Sequence, residues 1–405
     1  MQAVQTDVVV IGAGQAGLSA AYHLRRRGLE PGSGFVVLDA NPGPGGAWRH
    51  RWDSLTFGAA HALHDLPGMP LGSPDPAEPA SSVVTRYYGR YEQEFGFDVV
   101  RPVRVGSVSE SGQGRLAVAA ADGRRWLART VINATGTWDR PYWPYYPGRD
   151  LFRGRQLHTR DFRSTDEFTG QRVLVVGGGT SAVQFLLQLH RAGVDTLWST
   201  RRPPEFTRRA FDAEWGRDVE ARVSARTRAG LPPLSVVSAT GLPLTPEYQR
   251  GIADGVLVSR GPIRRLTGAG VVFADGSEEP VDAVLWATGF RAALEHLAPL
   301  HLREPGGGVR MDGVRAVREP RLFLVGYGES SSTLGATRAG RAAALAAVQA
   351  LSRQEPGTEP QAPASPEPEH AVVRSGSQAA TPHAVVRSCS QAATPAVPAL
   401  PTRSR

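Results

Sequence analysis

The chain of 405 residues has no lysine and a single cysteine; all 46 of its basic residues are arginines. Without lysine there is no Schiff-base catalyst and no P-loop lysine for a nucleotide phosphate. One cysteine, Cys389, can form no internal disulfide, no CxxC redox pair and no multi-thiolate metal site. A dithiol reductase is therefore excluded. No run approaches the roughly 18 consecutive apolar residues of a membrane span, so no membrane insertion is expected. Nor is there a G-x-S-x-G nucleophile elbow or an H-E-x-x-H metal pair, so no metal is expected. The start of the chain lacks the basic segment of a signal peptide, and a cytoplasmic location is expected.

What is present is a globular composition, 41% hydrophobic, with a formal net charge of +8. The charge reads as a preference for arginine over lysine. The arginines are scattered and no nucleic-acid-binding motif accompanies them, so no nucleic-acid partner is expected. From Asp7 to about Leu351 the chain alternates β-rich apolar runs, helical patterns and glycine turns, which reads as α/β. From about Arg353 it turns to Pro, Ala, Ser, Thr and Gln. There His370 to Pro382 is repeated at His383 to Pro395, with Gly376 replaced by Cys389. So polar a repeat buries no core, and 352–405 is expected to be disordered. A stretch rich in Pro, Gly and Ser, Leu66 to Ser82, reads as a loop of the size often found at active sites.

The run Asp7-Val8-Val9-Val10-Ile11 leads into Gly12-Ala13-Gly14-Gln15-Ala16-Gly17 and a helix from about Gln15 to Arg27. Strand, tight turn and helix are the context that G-x-G-x-x-G requires to hold a dinucleotide. Gly12 permits the turn, Gly14 lets a pyrophosphate approach, and Gly17 lets helix and strand pack. The helix N-terminus supplies free N–H groups. The next strand, Phe35-Val36-Val37-Leu38, ends at Asp39-Ala40, which places an acid where a ribose diol is expected.

The pattern recurs. Gln171 to Val176 reads as a strand running into Gly177-Gly178-Gly179-Thr180-Ser181-Ala182, with Ala182 as the accepted variant of the third glycine. The strand that follows, Thr196 to Ser199, ends in Thr200-Arg201-Arg202 rather than in an acid. Arginine can clamp a 2′-phosphate that an acid would repel, so this site is expected to prefer NADPH to NADH; a solvated arginine pair is the other reading.

Five further features complete the set. Gly45-Gly46-Ala47-Trp48 follows Asp39. Ala134-Thr135-Gly136 ends the strand Thr130 to Asn133. Phe152 to Phe162 reads F-x-G-x-x-x-H-x-x-x-F, with Gly154 and His158 at its fixed positions. Ala287-Thr288-Gly289-Phe290 ends the strand Ala283 to Trp286. Leu322 to Gly326 is a late strand before an alanine-rich helix. Together, over about residues 5 to 350, these resemble the class B flavoprotein monooxygenases: the flavin-containing monooxygenases with their YUCCA-like and Baeyer–Villiger relatives.

The resemblance implies FAD at the first site, held by Gly12, Gly14, Gln15, Ala16, Gly17, Asp39, Ala40, Gly46, Ala47 and Trp48. It implies NADPH at the second, held by Gly177, Gly179, Thr180, Ser181, Ala182, Arg201 and Arg202. Thr135, Gly136, His158, Thr288 and Gly289 are expected beside the cofactors. The two ATG segments read as hinges or as ordinary strand-to-turn chemistry, and His158 as a packed structural histidine or a cofactor neighbour. The expected fold is two Rossmann-like domains. An FAD domain, 1–164 and 291–351, is split by an inserted NADPH domain, 165–290. The implied activity is insertion of one oxygen of O2 into a small organic substrate through a C4a-(hydro)peroxyflavin. The alternatives are an NADPH:FAD reductase or oxidase that serves a partner or makes H2O2, and a non-catalytic dinucleotide sensor. The sequence departs from the resemblance in one respect. Neither the active-site asparagine of flavin-containing monooxygenases nor the peroxyflavin-holding arginine of Baeyer–Villiger enzymes has a clear counterpart. Arg49, Arg51 and His64 are candidates by position, with surface or packing roles as the other reading.

Overall fold

Val8, Val9, Val10 and Ile11 are all buried, so this strand has no face for water, as a central strand of a parallel sheet requires. The computed structural model describes residues 2–354 except 61–62, 113, 209–212, 234–240 and 329–332. The repeat at 370–395 and Cys389 lie outside the described residues.

Strand β1 (Val4–Ile11) pairs in parallel with β2 (Phe35–Leu38) and with the long β6 (Arg125–Asn133). Among the described residues the first sheet has nine strands. Its main path places β16 (Met311–Asp312), β17 (Arg315–Ala316) and β18 (Leu322–Leu324) on one side of β6, and β3 (Val99–Val100) beyond β2. β4 (Val105–Glu110) and β5 (Leu116–Ala120) extend antiparallel from β6. Helix α1 (Gln15–Arg26) and the last helix, α6 (Thr333–Gln354), cover one face of this sheet. They pack so closely that a Cβ on Gly340 would stand 2.4 Å from the Ala16 carbonyl oxygen. Because α6 runs to Gln354, it passes the residue at which the tail was expected to begin.

The second sheet has the order β7 (Arg155–His158), β15 (Ala283–Trp286), β8 (Arg172–Val176), β9 (Asp195–Ser199), and every pairing is parallel. Helix α3 (Thr180–Arg191) packs on one face. The antiparallel strands β12 (Ile263–Leu266), β13 (Gly270–Phe273) and β14 (Glu278–Pro280) close the other. The fold is thus two Rossmann-like units, the second inserted in the first. One expected boundary moves: β7 belongs to the second sheet, so the first unit ends before 155, not at 164. The edge of a parallel sheet is recruited by backbone pairing, which periodicity alone does not reveal.

The expected loop 66–82 is shorter and well anchored. Helix α2 (Ala80–Glu94) begins within it. The Leu66 N–H donates to the Tyr87 hydroxyl at 2.7 Å, and the Tyr91 hydroxyl donates to the Pro67 carbonyl at 2.7 Å.

At the sheet end where β6 stops, the His296 Nε2–H donates to the Asn133 side-chain oxygen at 2.7 Å, and both residues are buried. Burial pushes the imidazole down from 6.5 to about 4. Between these values the unfolded chain binds a proton that the folded chain does not, so stability falls as pH falls. The full effect is about 3 kcal/mol. The urea midpoint is expected to drop more steeply from pH 6.5 to 4.5 in the wild type than in His296→Gln. Equal slopes would remove His296 from the account.

Candidate functional site

Each glycine of the first loop has a distinct geometric reason. At Gly12, φ is +103°, and a Cβ would sit 2.5 Å from the Ala134 carbonyl oxygen. A Cβ on Gly17 would lie 1.8 Å from the Gly12 carbonyl oxygen, which enforces the helix–strand approach. A Cβ on Gly14 would meet nothing within 4 Å. Gly14 also caps α1 without a side-chain hydrogen bond, so backbone N–H groups of the first turn face open space. Gly46 closes over this cradle: its Cβ would meet the Gly14 Cα at 2.8 Å. Ala16 is buried under the loop, Ala40 and Trp48 are half-buried, and Ala47 is exposed. Gln15 reaches instead to Thr337 of α6, with Nε2 2.8 Å from its hydroxyl.

Asp39 sits at the end of β2 as expected and is buried. It has a partner that the sequence did not point to. Arg101 Nε donates to Asp39 at 3.1 Å while both terminal nitrogens grip Glu92, at 2.6 and 2.7 Å. Glu92 comes from α2 and Arg101 from just after β3, so only the fold assembles this buried triad. Burial pushes the Glu92 carboxyl up, against the pull of Arg101.

The second loop repeats the logic with one change. A Cβ on Gly177 would stand 2.1 Å from the Ala287 carbonyl oxygen, and one on Gly179, the N-cap of α3, would meet nothing within 4 Å. Ala182 fills the third position fully buried, while Thr180 and Ser181 stay half-buried in the first turn. Arg201 and Arg202 are exposed at the end of β9. The Trp198 indole N–H holds the loop through the Gly177 carbonyl at 2.7 Å.

The two units are joined by a pair of crossing segments that bond to each other. Tyr142 N–H donates to the Gly289 carbonyl at 2.9 Å, Arg291 N–H to Arg140 at 2.8 Å, and Ala293 N–H to Gly136 at 3.0 Å. Thr135 donates to the Ala293 carbonyl at 2.8 Å and Thr288 to the Tyr142 carbonyl. The ATG threonines therefore tie the crossing together. His158 is fully buried, and both ring nitrogens are engaged by backbone: Nδ1 accepts from Arg160 N–H at 3.2 Å and Nε2 bonds the Gly289 carbonyl at 3.0 Å. Burial also lowers its pKa. Of the two readings of His158, the bonds of its ring fit the packed structural histidine, which positions Gly289.

The rest of its motif is equally structural. Gly154 allows the Asp282 backbone to approach, its Cβ otherwise 2.3 Å from that carbonyl oxygen. Phe162 packs between Trp52 of the first unit and Phe185 of α3, with ring centres at 5.8 and 4.6 Å.

Of the three positional candidates, Arg49 is tied to the Pro44 carbonyl at 2.6 Å, and His64 is exposed. Arg51 differs. Its guanidinium lies over three indoles, Trp138, Trp48 and Trp52, at 4.5, 5.6 and 6.0 Å. Among the described residues no group of three or more His, Cys, Asp or Glu could hold a metal, and no helix is long and apolar enough to cross a membrane.

The cradle geometry makes a direct prediction. Because space is open at Gly14, Gly14→Val should fold with an unchanged circular dichroism spectrum yet purify without flavin colour. A yellow Gly14→Val protein would contradict the cradle. Arg101→Leu leaves Glu92 buried and unpaired and should cost about 3 kcal/mol of stability. Adding Glu92→Gln should restore most of it in urea denaturation.

The comparisons agree with this geometry. Residues 9–231 match the family described as pyridine nucleotide-disulphide oxidoreductase. A flavin-containing monooxygenase from Stenotrophomonas maltophilia is 39% identical, with a TM-score of 0.72, over 85% of this chain and 99% of that one. The indole-3-pyruvate monooxygenase YUCCA1 of Oryza sativa subsp. japonica is 28% identical over 362 residues, 79% of this chain and 86% of its own. A cyclohexanone monooxygenase shares the fold at 18% identity and a TM-score of 0.60. With its single cysteine, this chain shares the family's dinucleotide architecture without its dithiol chemistry. The chain belongs to the pyridine nucleotide-disulphide oxidoreductase family and, within it, to the class B flavoprotein monooxygenases: it is an oxidoreductase that uses FAD and NADPH.

Proposed function

We propose that the chain transfers one oxygen atom from O2 to a small organic substrate, with NADPH as reductant and water as the second product. The carrying observation is the aromatic junction between the two cradles. Trp52, Trp138, Phe162 and Phe290 line it, with Trp138 stacked on Phe290 at 5.1 Å. Bound FAD supplies the redox and oxygen chemistry. The protein's part is to bind, orient and exclude water. The N–H groups at the start of α1 would hold the FAD pyrophosphate, and Asp39, steadied by Arg101, would take the ribose. Those at the start of α3 would hold the NADPH pyrophosphate, with Arg201 and Arg202 on the 2′-phosphate. His158 keeps Gly289, and with it the crossing, at a set distance from both. We assign residues up to about 152 and from 291 to 354 to the FAD domain, and 155 to 290 to the NADPH domain.

Two measurements test this reading. With thioethers, amines and ketones in turn, NADPH oxidation should be matched by oxygenated product that carries label from 18O2, with little H2O2. Stoichiometric H2O2 for every substrate would make the chain an oxidase, and no NADPH turnover would make it a sensor. Arg201→Ala with Arg202→Ala should raise KM for NADPH by about 10- to 100-fold, the worth of one or two charge-assisted hydrogen bonds, and leave KM for NADH unchanged. Equal loss for both cofactors would place the arginines elsewhere.

A further inference from the structure

Near the aromatic junction, Arg51 takes part in no ion pair among the described residues and in neither cofactor cradle. It follows directly on the turn of 3-10 helix Gly46–His50, which closes over the first loop. Its Nε is sealed from solvent and has no acceptor among the described residues. The neighbouring Trp52 has a buried indole N–H in the same condition. Two adjacent donors without acceptors are costly, because each has given up water for nothing. Among the described residues no carboxylate pairs with it: burial pushes the guanidinium down to about 10, and it remains a cation at neutral pH. Three indole faces account for the attraction of a cation, but they offer no acceptor to its N–H groups.

The anions of the two cofactors already have holders. Under the proposed function the pyrophosphates would meet the helix starts at Gly14 and Gly179, and the 2′-phosphate would meet Arg201 and Arg202. Of the three indoles, Arg51 lies nearest Trp138, at 4.5 Å, and Trp138 in turn stacks against Phe290 of the second unit. A planar fork of donors set among aromatic faces suits a carboxylate attached to a flat apolar body.

We propose that Arg51, with the Trp52 indole N–H, is the specificity-determining anchor for a carboxylate on the substrate. The assignment rests on the monooxygenase reading for its meaning, but its test needs no oxygen transfer. The oxidised, FAD-loaded enzyme with NADP+ present is titrated with (phenylthio)acetate and, separately, with (phenylthio)acetamide. Binding is followed by the flavin absorbance change and by equilibrium dialysis. The acid should bind at least about ten-fold more tightly than the amide. Arg51→Gln should erase that preference while binding the amide as before, and Arg51→Lys should keep part of it.

Equal affinity of the wild type for acid and amide overturns the proposal, whatever the oxygenation activity. So does a preference that survives Arg51→Gln. Should Arg51→Gln fail to fold, the wild-type comparison and Arg51→Lys still decide. If the wild type shows no preference and Arg51→Lys loses its FAD, the guanidinium serves the flavin and the proposal fails.

Discussion

The paired crossing of residues 136–142 and 288–293 carries the chain between the two units, and the packing of Trp52 on Phe162 and Phe185 adds a second contact. The chain leaves the first sheet at Asn133, builds the second unit and returns, and the outward and homeward segments bond to each other through backbone groups. Two independent linkers would let the units drift. Two that share hydrogen bonds hold the units together along one seam. Gly136 and Gly289, both with positive φ, supply the tight turns at which each segment departs from its strand.

The motif Phe152–Phe162 takes its meaning from that crossing. Gly154 lets the edge strand seat against the Asp282 backbone, His158 bonds Gly289, and Phe162 inserts between Trp52 and Phe185. One short segment thus fastens the second sheet, the crossing and the first unit. A histidine committed by both nitrogens to backbone has no capacity left for proton transfer, so its value lies in distance-keeping.

The two cradles show how far local sequence carries. The glycine spacing sits within a strand–turn–helix of about 15 residues and is therefore legible, but only Gly17 is crowded by its own loop; the carbonyls that exclude a Cβ at Gly12 and Gly177 come from distant Ala134 and Ala287. Asp39 was legible for the same reason. Its clamp was not, because Glu92 and Arg101 stand 53 and 62 positions beyond it and carry no pattern of their own. The edge strand Arg155–His158 escaped detection as part of the second sheet because four residues have too little periodicity to announce a partner.

The sequence by itself determined the two dinucleotide sites, the α/β architecture with one unit inserted in the other, and the exclusion of dithiol chemistry. Each rests on local backbone geometry or on a count of cysteines. Tertiary structure alone decided which of Arg49, Arg51 and His64 stands out. All three follow the same motif, yet one is tied to a carbonyl, one is exposed, and one is set among three indoles without an acceptor in the described residues. The difference lies in Trp138, which arrives from 87 residues along the chain. A side chain's electrostatic character depends on what surrounds it in space, and spacing along the sequence does not carry that information.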